Sequence, residues 1–252
     1  MVDTRGSASF VDHESRVGGF LWLIGTLQFV VAMVITELGF GCSNVGGCYN
    51  PWTNPISDLG SAGFAGSPAS SWPTSPFWPL FNYSIVVFGA LLVVAVFRLT
   101  RAFPPSKWTT LGLSIFGLAG FGAAGVGVVA EDTILAVHSA FALVAFAGAG
   151  LALLAIAPAL TRDPRWGRGW WAYTLVSGLF SIAVTLAFTI GPRVGGFAWA
   201  INGSGFGYGG MERLIIVAPL LWLILAGAHI FRWPTRTKES ARASTEPPVG
   251  IT

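Results

Sequence analysis

Apolar residues fall along the chain in six long runs, each free of Asp, Glu, Lys and Arg: Val17–Thr36, Leu80–Phe97, Thr109–Ala130, Thr133–Ala157, Trp171–Ile190 and Leu214–Phe231. Each is close to the ~20 residues that a helix needs to cross roughly 30 Å of hydrocarbon. Lipid offers no partner to a backbone N–H or C=O, so a run of this length is predicted to be a helix. The pattern predicts an all-α protein, a six-transmembrane-helix bundle over residues 17–231. A short segment (1–16) precedes it, and a polar, proline-containing tail (232–252), expected to be disordered, follows. The first run is longer than the apolar core of a cleaved signal peptide and no clean small-x-small site follows it, so it is read as a resident helix.

The polar positions between the runs set the orientation. Arg5 and Arg16 precede the first run. Arg98, Arg101 and Lys107 separate the second and third, and Arg162, Arg165 and Arg168 the fourth and fifth. Arg232, Arg236, Lys238 and Arg242 follow the sixth. Twelve of the 14 basic residues thus share one side, leaving only Arg193 and Arg213 on the other. By the positive-inside rule both termini are cytoplasmic and the protein is a multi-pass component of the cell (plasma) membrane. Trp108, Trp166, Trp170, Trp171 and Trp233 are expected as interface anchors at the inner ends, with Trp78, Trp199 and Tyr208 at the outer ends.

Composition agrees with a lipid environment: 53% of the 252 residues are hydrophobic and 10% charged, against about 25% charge in soluble domains. The net charge is only +3 and the basic residues are scattered in short groups, so no nucleic-acid partner is expected; membrane lipids are. The third and fourth runs, separated only by Glu131 and Asp132, predict a tight antiparallel hairpin. Their glycines (Gly112, Gly117, Gly120, Gly122, Gly125 and Gly127, then Gly148 and Gly150) are read as surfaces for close helix packing.

Acidic residues gather on the outer side: Glu37, Asp58, Glu131, Asp132 and Glu212, with Arg193, Arg213 and His138. No charge sits at mid-depth in any run, which argues against a pump or proton-coupled transporter and points to a polar site at the outer rim. If the fourth helix starts near Thr133, His138 lies about 8 Å along it, on the face of Glu131 if the helix reaches back that far. His138 is then a general acid/base or ligand group, or else an interhelical hydrogen-bond partner. Asn54-Pro55-Ile56-Ser57-Asp58-Leu59-Gly60 reads as a short helical turn capped by Asn54 and ended by Gly60, which would point Ser57 and Asp58 at the mouth of the bundle. Asp132 is a candidate cap for the fourth helix, and Arg213 is expected to have an acidic partner. The candidate pocket is therefore Ser57, Asp58, Glu131, His138, Glu212 and Arg213.

Cys42 and Cys48 share an outer loop and are expected to form a disulfide. With one histidine on that side a zinc site is not expected, and no cofactor is implied. Ser177, Ser181, Thr185 and Thr189, four apart, are read as packing rather than a polar lining. His13 and His229 stand isolated on the inner side.

The combination of Ile56-Ser57-Asp58-Leu59-Gly60, Phe81-Asn82, Glu131 followed by His138, and Gly210-Met211-Glu212-Arg213 resembles the Domain of Unknown Function 998 family, multi-pass membrane proteins of archaea and bacteria. The resemblance spans the first to the sixth helix. It departs before Glu131, where Val129-Ala130 stand in place of an aromatic-proline pair. It implies topology and candidate residues rather than a reaction. Three functions are open at this point. The first is an outward-facing pocket for a lipid head group or small ligand. The second is a membrane-embedded lipid hydrolase or transferase using His138 and a carboxylate, with Ser57 as a candidate nucleophile. The third is a structural subunit of a membrane complex.

Overall fold

The computed structural model describes residues 13–40, 42–43, 47–63, 74–190 and 207–233. Arg193, Trp199 and nearly all of the expected tail lie outside the described residues. The protein is all-helical, and six of its helices are long and apolar enough to span a membrane: α1 (His13–Phe40), α2 (Trp78–Arg98), α3 (Lys107–Val128), α4 (Leu135–Leu160), α5 (Gly167–Ile190) and α6 (Tyr208–Phe231). Between α1 and α2 lie a two-residue antiparallel pairing of Cys42–Ser43 with Gly47–Cys48 and a 3-10 turn, Ile56–Gly60.

Local chemistry sets the helix ends. Ser106 caps α3 by accepting from the Thr109 amide at 3.1 Å. Pro79 occupies the first turn of α2, where a missing N–H costs nothing. Asp163 accepts from the Arg165 amide at 2.9 Å, and Gly167, at φ 66°, turns the chain into α5. Helix α1 runs four residues beyond its apolar run at each end, because Glu14 and Glu37 reach polar partners from helical positions.

The six helices form a closed ring in chain order. Each packs on the next, and α6 returns to α1. Helix ends near the two chain termini lie together: the Arg16 Nε donates to the Phe231 carbonyl at 3.1 Å, and Arg98 pairs with Glu14. The ring closes tightly where glycines face each other. A Cβ on Gly120 would sit 2.9 Å from the Gly89 carbonyl oxygen, and one on Gly227 would sit 2.6 Å from that of Gly19. The glycines of α3 and α4 likewise pack, Gly122 on α4, Gly127 on α2 and Gly150 on α5. On α5, Ser181 donates to the Ile215 carbonyl of α6 at 3.2 Å, while Thr185 and Thr189 bond back to their own helix. Large apolar side chains such as Val31, Tyr83, Phe97, Phe121 and Val176 point outward. In each span fewer than half of the residues are buried inside the protein, so an apolar belt faces the bilayer.

The terminal end of the ring is filled by aromatics. Trp22, Phe116 and Trp222 meet with ring centroids 5.5–5.6 Å apart, and Phe103 stacks on Trp166 at 4.9 Å. This corrects the expected anchors: Trp166 is 0% and Trp233 8% exposed. Trp166 is drawn inward because its Nε1–H finds the Ala102 carbonyl at 3.2 Å. His229 is not isolated either. It packs against Trp166, Trp170 and Trp233, with Nε2 3.0 Å from the Arg165 carbonyl. Trp108 and Trp171 stay exposed as anchors would.

Candidate functional site

The opposite end of the ring is hollow. A cavity of about 100 Å³ runs inward from the Ile56–Gly60 turn, walled by α1, α2, α3, α4 and α6; α5 contributes no lining residue. Its walls are almost wholly apolar, with Phe81, Phe88, Phe116, Ala145 and Leu223 among them. Its polar residues are Ser57 on the turn, Glu212, which bonds that turn, and His138 in the first turn of α4.

Glu212 holds the turn in place. Its Oε2 accepts from the Ile56 amide at 2.6 Å, and the Ser57 amide also bonds to it. A carboxylate at these free amides does what an N-cap residue does, from 156 residues away. This corrects the expected cap. Pro55 occupies the cap position without a side-chain bond, and Asn54 instead receives the Asn50 amide and donates to Asp58 Oδ2 at 3.0 Å. At the other end of the turn Asn82 Nδ2 donates to the Gly60 carbonyl at 2.9 Å. Asp132 does not cap α4, whose cap position is Ile134; its Oδ2 accepts from the Ala62 and Gly63 amides at 2.9 and 2.7 Å. The turn is thus fastened by α2, α6 and the α3–α4 connection.

Helix α4 starts at Leu135, so His138 is only about 4.5 Å along it, and Glu131 lies in the connecting turn rather than on a shared helical face. Both are nevertheless buried. Ser57 Oγ donates to Glu131 Oε2 at 2.5 Å. Glu131 also hydrogen-bonds the Asp58 carboxyl, a contact between two acceptors that needs a proton. Burial, then the bond to and charge of Asp58, push Glu131 up to about 10, so it carries that proton at neutral pH. His138 Nδ1 lies 2.7 Å from the Val129 carbonyl. No hydrogen bond joins Ser57 to His138 among the described residues.

Arg213 stands apart from the cavity. It pairs with Glu37 of α1, donates to the carbonyls of Pro51 at 2.6 Å, Gly209 at 2.9 Å and Asn54 at 3.3 Å, and donates to the Tyr49 hydroxyl at 2.5 Å. Burial pushes the Tyr49 phenol up, and it passes its own hydrogen to the Pro55 carbonyl at 3.3 Å. The expected acidic partner of Arg213 is therefore Glu37, not a carboxylate of the cavity. Glu37, Tyr49, Asn54 and Asn82 were outside the candidate set. Only Tyr49 had no signal: Glu37 stood among the outer acids, Asn54 as the expected cap, and Asn82 as half of the Phe81-Asn82 pair.

Cys42 lies opposite Cys48 in the two-residue pairing; the Cys42 side chain is outside the described residues. Among the described residues no trio of His, Cys, Asp or Glu is arranged to hold a metal ion.

Neither the curated proteins nor the solved structures hold a match to the chain. A family model described as "Protein of unknown function (DUF998)" matches residues 23–229, helix one to helix six. This multi-pass, six-helix membrane protein, with its turn fastened over a hollow ring, belongs to that family.

Proposed function

We propose that the protein binds a lipid-like molecule, its apolar chain in the cavity and its head group beside Ser57, His138 and Glu212. One observation carries the reading: the cavity joins a deep apolar slot to a single polar end, the shape that ligand pockets take when a few polar groups orient an apolar body. Helix α4 lines the slot with Ala142, Ala145 and Ala149, small side chains that leave it open.

Lipid extracted from the purified protein and identified by mass spectrometry should contain one enriched species. Ala142→Phe, one turn below His138, fills the slot and should lower that species at least tenfold with little change in thermal unfolding. Equal lipid recovery from the variant would reject the pocket.

The orientation that goes with this reading puts the cavity mouth outside the cell membrane and the termini in the cytoplasm. In a background lacking Cys42 and Cys48, a cysteine placed at Ser204 should react with an impermeant thiol reagent on intact cells, and one at Ser106 should not. The reverse pattern would invert the protein.

An outer loop is exposed to oxidants, and the antiparallel register pairs the backbone of Cys42 with that of Cys48. A bridge between them is expected to block both thiols until a reductant is added, read as a two-hydrogen mass gain and new alkylation. Alkylation in freshly isolated membranes without reductant would show the bridge absent.

A further inference from the structure

We infer that the head group taken by this cavity is a neutral hydroxyl on a single chain: a long-chain or isoprenoid alcohol rather than an amine, a carboxylic acid or a phosphate. The inference rests on the lipid-pocket reading above and narrows it to a chemical class.

The argument starts from His138, which is 6% exposed and lines the cavity. Its Nδ1 faces the Val129 carbonyl at 2.7 Å. A carbonyl only accepts, so Nδ1 carries the hydrogen, and the neutral ring has its lone pair on Nε2. Nε2 has no partner among the described residues, which leaves it as the ring's polar atom for whatever enters the cavity. A buried acceptor of this kind is satisfied by a donor.

The surrounding acids do not change that demand into one for a cation. Glu212 is engaged by the Ile56 and Ser57 amides, and Asp132 by those of Ala62 and Gly63. Asp58 is engaged by Asn54 and by Glu131, and Glu131 by Ser57. An ammonium entering the cavity would meet one carboxylate, Glu212, whose charge is already shared by the Ile56 and Ser57 amides, and would give up its hydration for that partial counter-charge. An anion fares worse. No Lys or Arg lines the cavity, and Arg213 is spent on Glu37, Tyr49 and three carbonyls. A hydroxyl gives its hydrogen to Nε2 and carries no charge to bury. The cavity, about 100 Å³ when empty, must widen to take even one chain and has no room for two; its depth along α6, from Glu212 to Leu223, is about 16 Å at 1.5 Å per residue, the reach of a dodecyl chain.

The test uses the full chain in lipid nanodiscs and a dodecanol bearing a diazirine at its tail, crosslinked by light and read by intact mass. Dodecanol and farnesol should each suppress labelling more than tenfold at a concentration where dodecylamine, dodecanoate and dodecyl phosphate do not; farnesol against dodecanol separates isoprenoid from alkyl sources. His138→Phe should lose labelling more than tenfold. His138→Gln, whose amide offers a donor to Val129 and an acceptor to the cavity, should keep most of it. Stronger competition by the amine, the acid or the phosphate would overturn the hydroxyl assignment, as would labelling of His138→Phe at the wild-type level. If Ala142→Phe still abolishes labelling in those cases, the lipid pocket survives and only the head group is wrong. If no probe labels or competes and no lipid co-purifies, the pocket itself falls.

Discussion

Arg213→Met is expected to cost about 3 kcal/mol of stability, the low end for breaking a buried ion pair, read as a fall in the thermal unfolding midpoint of the purified protein. The guanidinium ties together three separate pieces of chain. It pairs with Glu37 at the end of α1, holds the carbonyls of Pro51 and Asn54 and the Tyr49 hydroxyl in the loop, and sits on α6 itself. Both charged side chains are about four-fifths buried, so removing one leaves the Glu37 carboxylate without a partner where water reaches it poorly. Arg213→Lys should rescue little, since a single ammonium cannot cover five acceptors spread around a planar fork. Glu37→Gln combined with Arg213→Met removes the orphaned charge and should recover part of the loss. An unfolding midpoint equal to wild type in Arg213→Met would show that the network is incidental to the fold.

This network also marks what the sequence could and could not convey. The six spans were legible because an apolar run long enough to cross a bilayer has few alternatives. Their ends were less so. Glu14 and Glu37 interrupt the apolar pattern of α1 without interrupting its helix, because each has a partner. Thr133 and Ile134 read as apolar helix but belong to the turn that lets Thr133 bond the Ala130 carbonyl at 2.6 Å. For the site, charged residues in an apolar chain were conspicuous by type. Ser57, His138 and Glu212 come together at the cavity, and Asp58 and Glu131 join Ser57. What hydropathy cannot carry is pairing across the ring. That Glu212 meets the Ile56 amide 156 residues away, or that Arg213 turns to Glu37 across 176, depends on α6 closing back on α1. Trp166 shows the same limit. Its position in the sequence is that of an interface anchor, but a carbonyl of the α2–α3 connection draws it inside.

Glu131→Gln is expected to stabilise the protein at alkaline pH and to flatten its pH dependence. In the folded chain Glu131 keeps its proton up to about 10, because burial opposes its charge and Asp58 adds a bond and a repulsion. In the unfolded chain it releases that proton near its ordinary value of 4.5. A folded value above the unfolded one means that the folded state binds the extra proton between the two. This group's contribution is therefore fully present below about 4.5 and is lost progressively as pH rises toward 10. Glutamine has no proton to lose. Its carbonyl still accepts from Ser57 and its amide still donates to Asp58, so the geometry is kept while the titration is removed. Thermal unfolding of the two proteins, compared from about pH 5 to about pH 9, should nearly coincide at the acid end and diverge with pH, the variant melting higher. Glu131→Ala should also lose the titration but melt lower throughout, since Ser57 and Asp58 then lack their partner. Parallel profiles for wild type and Glu131→Gln would place the shared proton elsewhere and dissolve the carboxyl pair on which this end of the cavity is built.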